Sequence, residues 1–293
     1  VALTSSQIAA IETGDLAKFS TSQVRAIESA DIPALTLGQI AALDSTQYAA
    51  MTTRQIKTLT TAQIAALATD SLAALSSAQI QAIETAKIAA LTTAQVAALT
   101  TDQAPKLTTA QITALTTAQI SALKTDSLAL FSTDQVAAIE TIDFAKMTTA
   151  QIAALTTTQA ANLTTAQVAA MTTAQVAALE TADLEKLTTS QIAALSSTQM
   201  AALTTAQVVA LTTGQAGAIT STQLGAMTPT QVAAFETADL EKLSTTALQG
   251  LTTAQAAQLT TAQVAALTTD QVAALETADL VALSTTQWVA LGT

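Results

Sequence analysis

An apolar residue stands at every eighth position from Leu3 to Leu291, through Ile11, Phe19, Ile27 and Leu35, with no insertion or deletion. Residues 3 to 290 are therefore 36 octads, and the commonest reads Leu-Thr-Thr-Ala-Gln-Val-Ala-Ala. Counting from the apolar starter, position 1 is always Leu, Ile, Met or Phe. Position 6 is always apolar too, from Ile8 through Tyr48, Ala104 and Phe144 to Trp288. These two positions hold every aromatic residue and every Met, and no charge, so they mark the core. Tyr48 and Trp288, each the only residue of its kind, are expected to pack there rather than to stack on a ligand.

The period decides among the regular structures. In one continuous α-helix, eight residues turn through about 800°, so the apolar stripe would drift by about 80° per octad and face nothing consistently. A β-solenoid, the alternative fold, needs alternating inward and outward residues and many turn formers. Positions 1 and 6 have opposite parity, and Gly occurs only seven times in the chain.

Short helices fit the residues themselves. Thr at position 2 followed by Gln at position 5 is a capping box: the Thr hydroxyl accepts the N–H of position 5, and the Gln side chain reaches back to the Thr N–H. Positions 1 and 6 then fall at N′ and N4, the two sites of a hydrophobic staple. Pro229 sits at position 3, the first helical residue, where Pro is best tolerated. Pro33 and Pro105 occupy position 7, inside the expected helix, where they remove a bond or force a tighter turn. A helix of about six residues does not persist alone, because nucleation costs more than so few bonds return. It needs its staple residues buried, at roughly 1.5 to 3 kcal/mol for each Leu or Val. The expected fold is an all-α solenoid of 36 short capped helices, one per octad, forming a single continuous domain over residues 1–293.

A slower rhythm overlies the octads. Those beginning Ile11, Leu67, Leu123, Leu179 and Phe235 all lack Gln at position 5 and carry Leu at position 6, at Leu16, Leu72, Leu128, Leu184 and Leu240. They recur every 56 residues, which gives five blocks of seven octads between residues 11 and 290. Ala at position 6 follows the same spacing at Ala104, Ala160 and Ala216, then returns five octads later at Ala256. Duplication accounts for the rhythm, and so does a superhelix that returns to one side every seven octads. If the five-octad echo also counts, about 2.3 to 2.5 octads per turn satisfies both spacings better than 3.5 does.

The chain has ten basic and 21 acidic side chains, a net charge of -11, and no Cys or His. Thiolate and imidazole chemistry are thereby excluded, as are disulfides and Cys or His metal sites. No basic patch exists for a phosphate backbone, so nucleic acid is not an expected partner. The longest apolar run, Ile64 to Ala68, is far short of the roughly 18 to 20 residues that span a bilayer, so membrane insertion is not expected either. Nothing at the N-terminus reads as a signal peptide.

Asp at position 5 always travels with Glu at position 2: Glu12 with Asp15, Glu28 with Asp31, Glu140 with Asp143, Glu180 with Asp183, Glu236 with Asp239 and Glu276 with Asp279. Glu84 instead accompanies Lys87. Acids near a helix start complement its dipole and solubilise an Ala-Thr surface. If turns stacked such pairs into a ladder they could also hold calcium. The dipole reading is preferred, so no cofactor is expected, and no catalytic, cofactor-binding or metal-binding residue is assigned. Enzyme activity is not expected, since near-identical turns offer no evident cleft and no residue stands out as a nucleophile with its base. Thr at position 3 recurs in almost every octad, a regular spacing that ice-binding surfaces share, although helix starts prefer Thr for local hydrogen bonds as well.

The tracts Thr-Thr-Ala-Gln-Val-Ala-Ala-Leu at residues 92–99 and 260–267 resemble the low-complexity repeat regions of very large bacterial secreted or cell-surface proteins of the adhesin and exoprotein kind. That resemblance implies an extracellular stalk, filament or matrix component exported by a dedicated system. The chain lacks the Gly-Asp-rich nonapeptides of calcium-binding repeat toxins. Both ends cut an octad short, so a segment of something longer, or a subunit that self-associates end to end or laterally, is expected. The functional expectation is a non-catalytic structural rod, stalk, filament or surface-layer component outside the cell. The alternative is a module that binds protein, glycan or ice through its Thr-rich face.

Overall fold

The structure is a computed structural model that describes residues 3–291. Among them are 34 short α-helices and two 3-10 turns, with no strand. The fold is an all-α repeat solenoid, and the β-solenoid alternative falls away. Each segment follows the expected frame. In the octad beginning Leu203, Thr204 is an extended N-cap, the helix runs Thr205–Val209, and Ala210 closes it. Most helices span four to six residues, as Thr181–Leu184 and Thr61–Ala66 do.

Two corrections apply to the expectation of 36 capped helices. The Pro33 and Pro105 octads form the 3-10 turns Ile32–Ala34 and Ala104–Lys106, because a ring at position 7 denies the N–H that an α-helical turn would use there. The octads with Glu at position 2, such as those of Thr181–Leu184 and Thr237–Leu240, have no side-chain cap bond at all.

Residues Val1–Met147 and Thr148–Thr293 form two compact units, each built the same way internally. Within each unit the helices that pack on one another lie three octads apart, as Ser45–Ala50 and Thr69–Ala73 do in the first unit and Ser197–Ala201 and Ser221–Ala226 in the second. Hydrogen bonds between successive turns join residues 25 apart, as from Ser77 to the Asp102 carbonyl, and residues 28 and 31 apart, as from Gln207 to the carbonyls of Leu179 and Val176. The coil therefore closes a turn in about 28 residues, or 3.5 octads of eight. The value of 2.3 to 2.5 octads per turn is thereby corrected, because the five-octad echo at Ala256 has no counterpart in the stacking. The 56-residue period is two turns, so its members return to the same side of their unit.

Positions 1 and 6 fill the core wherever turns lie on both sides. Ile56, Leu59, Ile64, Leu184 and Val208 are all fully buried. Tyr48 is enclosed as expected, and its hydroxyl donates to the Ile40 carbonyl at 2.6 Å; burial raises its pKa. Trp288 is not enclosed: it is 48% exposed, and Leu3 is 47% exposed. Among the described residues each has a stacked turn on one side only. Core membership in a solenoid thus comes from the neighbouring turn and not from the octad alone.

Beside one octad that lacks its glutamine, backbones approach closely. The octad beginning Leu243 has Ala247 at position 5, and a Cβ on Gly250 would lie 2.1 Å from the Ser221 carbonyl oxygen. A Cβ on Gly225 would meet the Gly250 oxygen at 2.7 Å. Gly250→Ala should therefore force the two turns apart and destabilise the second unit by about 1–3 kcal/mol, the cost of overpacking. Gly214→Ala, whose Cβ would meet nothing nearer than 4.0 Å, should be neutral or slightly stabilising. Urea unfolding of both variants checks the contrast.

Candidate functional site, the clasp between turns

Gln at position 5 uses both ends of its amide. Within its own octad the oxygen accepts the N-cap N–H: Gln207 Oε1 lies 2.8 Å from the Thr204 nitrogen, and Thr204 Oγ1 accepts the Gln207 N–H at 3.1 Å. The staple and the box hold the side chain pointing along its helix start, which leaves Nε2 facing the preceding turn. There it donates at 2.8 Å to both the Val176 and Leu179 carbonyls, the last acceptors of the helix four octads earlier. The Val176 carbonyl also takes the Leu179 N–H at 3.2 Å, so the glutamine adds a second donor there and brings the Leu179 carbonyl a donor from another turn. The same pair of bonds recurs at Gln39 to Ile8 and Ile11, at Gln63 to Ile32 and Leu35, and at Gln255 to Leu224 and Met227. Gln207 is only 2% exposed. One amide therefore caps the start of one helix and the end of another in a place that water does not reach.

Sequence reasoning had assigned this glutamine the first role and missed the second. The signal was present in the choice of residue. Glu serves a capping box as well as Gln does, yet Glu occurs at position 5 in none of the 36 octads. An N–H donor is what Glu lacks. Lys87, which stands at position 5, supplies one instead: its Nζ donates to the Lys57 carbonyl at 2.8 Å and pairs with Glu84 at the same distance. The hydrogen bond from Lys87, and then its charge, hold the Glu84 carboxyl below the usual range.

The acid pairs are divided between two environments. All six Glu are exposed. Their Asp partners lie in the slot that glutamine fills elsewhere, and they meet different fates. Asp15 is exposed and paired with Lys18 at 3.2 Å. Asp31 accepts the Ser5 hydroxyl, and Asp143 accepts the Thr117 hydroxyl at 2.6 Å. Asp183, Asp239 and Asp279 are each 2% exposed, and one carboxylate oxygen of each, Oδ2, is buried with no hydrogen-bond partner. Burial, followed by the charge of the Glu three residues earlier, pushes Asp183 and Asp239 up to about 6 and raises Asp279. No group of three or more His, Cys, Asp or Glu side chains placed to hold a metal occurs among the described residues.

An open groove of about 810 Å³ lies in the first unit beside the Pro105 turn, bounded by Ser77, Thr100, Asp102, Lys106 and Leu130. The 3-10 turn Ala104–Lys106 borders the groove, and Leu130 is 54% exposed at its edge.

A solenoid of stacked octads held by a position 5 amide defines an all-α repeat protein. Eight stretches of the chain, 8–45, 40–77, 48–85, 72–109, 105–138, 136–173, 176–213 and 232–269, match the model of the ALTTAQ repeat, whose six letters are positions 8 and 1 to 5 of the octad. The chain belongs to the ALTTAQ repeat family. None of the curated proteins compared with it matches. No helix among the described residues is long and apolar enough to cross a membrane.

If the donor matters as much as the cap, Gln207→Glu at neutral pH should be more destabilising than Thr204→Ala. Thr204→Ala removes a cap, at about 1 kcal/mol. Gln207→Glu preserves the acceptor but sets a carboxylate against two carbonyls, and leaving buried groups unsatisfied costs about 1–3 kcal/mol, more when one is charged. Urea midpoints of the two variants, measured side by side, give the order; equal midpoints would mean that the inter-turn bonds contribute little.

Proposed function

We propose that the chain is a non-catalytic structural element, a rod or stalk that spaces or assembles at a bacterial cell surface. The observation that supports this reading is the self-propagating clasp. Each turn offers the next the same row of carbonyls and takes the same amides in return, so adding octads adds length without altering local structure. Such a build suits a spacer, whose useful property is reach. The exposed acids and the net charge of -11 suit a surface that must stay dispersed. The resemblance of the Thr-Thr-Ala-Gln-Val-Ala-Ala-Leu tracts to secreted repeat regions supports an extracellular location, with self-association as the assembly mode.

The groove beside Pro105 favours a second reading, a binding module, since the departure from regular octads creates concave surface there. The two readings differ in what sets performance. For a spacer, removing one 56-residue block should shorten the particle seen by electron microscopy by two superhelical turns and leave assembly otherwise intact. Antibody against the chain should label whole, unpermeabilised cells. Labelling confined to permeabilised cells, or a particle whose length ignores the deletion, would count against the stalk.

A further inference from the structure

We propose that Asp183, Asp239 and Asp279 are proton-operated clasps in the second unit: the neutral carboxylic acid donates its O–H to an oxygen of the turn 26 to 31 residues earlier, as the glutamine amide does elsewhere, and ionisation releases that bond. Three observations converge on these residues. Each occupies position 5, the slot whose purpose in the repeat is to donate. The register that takes Gln207 to Val176 and Leu179 sets Asp183 before the carbonyls of Ile152 and Leu155, Asp239 before those of Val208 and Leu211, and Asp279 before those of Leu248 and Leu251. A carboxylate offers these oxygens only another acceptor, and the buried Oδ2 of each is unpartnered.

No fixed cation relieves the charge. Asp183 is faced on its own segment by Glu180, Glu185 and Lys186, and Asp239 by Glu236, Glu241 and Lys242; both lysines are exposed and neither forms an ion pair with its Asp. Asp279 is faced by Glu276. The helices packed against them, Thr157–Ala161 and Thr205–Val209 for Asp183, Thr213–Ala216 and Thr261–Ala265 for Asp239, and Thr253–Ala256 for Asp279, carry no titratable side chain. A buried carboxylate in such a setting takes a proton more readily than it takes a bulky ion, because a proton requires no space. Reach is shown by Asp143, a position 5 carboxylate that does contact the turn before it, at Thr117, 26 residues back. The corresponding residues for the three clasps are Thr157, Thr213 and Thr253.

The raised carboxyls set the direction of the effect. The folded chain binds these protons at a higher pH than the unfolded chain, whose Asp titrates near 3.9, so stability rises as pH falls through about 6 and levels off near 4. Thermal unfolding of the full chain between about pH 4.5 and 7.5 tests this in three forms: the natural sequence, the triple variant Asp183→Asn, Asp239→Asn, Asp279→Asn, and a control with exposed Asp102→Asn, Asp134→Asn, Asp270→Asn. The natural chain should gain several degrees in Tm on acidification. The triple variant should start higher at neutral pH and lose most of that gain, while the control keeps it. Carbon NMR of the natural chain, which depends on no variant folding, should show Asp183 and Asp239 titrating near pH 6 and Asp279 titrating above the usual carboxylate range. Midpoints near 4, or an unchanged pH slope in the triple variant, would overturn the proposal. So would a calcium-induced rise in Tm at neutral pH that the triple variant abolishes, since the three would then be cation ligands.

Discussion

The bifunctional amide at position 5 is the interaction on which the rest depends. Its oxygen closes the start of a helix too short to nucleate for itself, and its two N–H groups close the end of another helix four octads earlier. Secondary and tertiary structure are therefore formed in one act. Neither a capped helix without the neighbouring turn nor a stacked turn without the cap would satisfy its buried polar groups. Helices of four to six residues persist here because the bonds that end them come from elsewhere in the chain.

Departures from the consensus acquire meaning against that background. Lys87 preserves the donor with a different chemistry and recruits Glu84 as its counter-charge. Ala247 abandons the donor, and the turns close up until only glycine fits at residue 250. Pro33 and Pro105 cost an α-turn and are absorbed as 3-10 turns, and the Pro105 carbonyl still accepts from Gln135 at 3.0 Å. The Asp octads are the sharpest exception, since they place an acceptor where a donor belongs. A repeat that tolerates such exceptions singly, surrounded by intact clasps, can carry local chemistry without losing its architecture. The proposed stalk thus need not be uniform along its length.

Much of this could be read from residues alone. The unbroken spacing of positions 1 and 6 excludes a continuous helix by arithmetic, and the pairing of Thr204 with Gln207 states a helix start in two letters, because capping is a contact between residues three apart. What could not be read is anything that spans a turn. The pitch is one such quantity: the Ala256 echo looks as informative as the 56-residue period until the reach of a glutamine side chain decides between them. Trp288 occupies a core position of its octad, whereas enclosure depends on turns stacked on both sides, and the described residues supply one of them.

The sequence by itself thus determined the unit: its length, its helical state, its cap and its two apolar anchors, all of which are set by bonds and sterics within eight residues. Only the tertiary structure decided how units meet, namely 3.5 octads to the turn, the second bond of each glutamine, and the burial of one carboxylate of an acid pair while its partner faces water. The reason is physical. Those outcomes depend on which carbonyls a side chain encounters some 28 residues away, and no local pattern encodes a distance that the coil itself must establish.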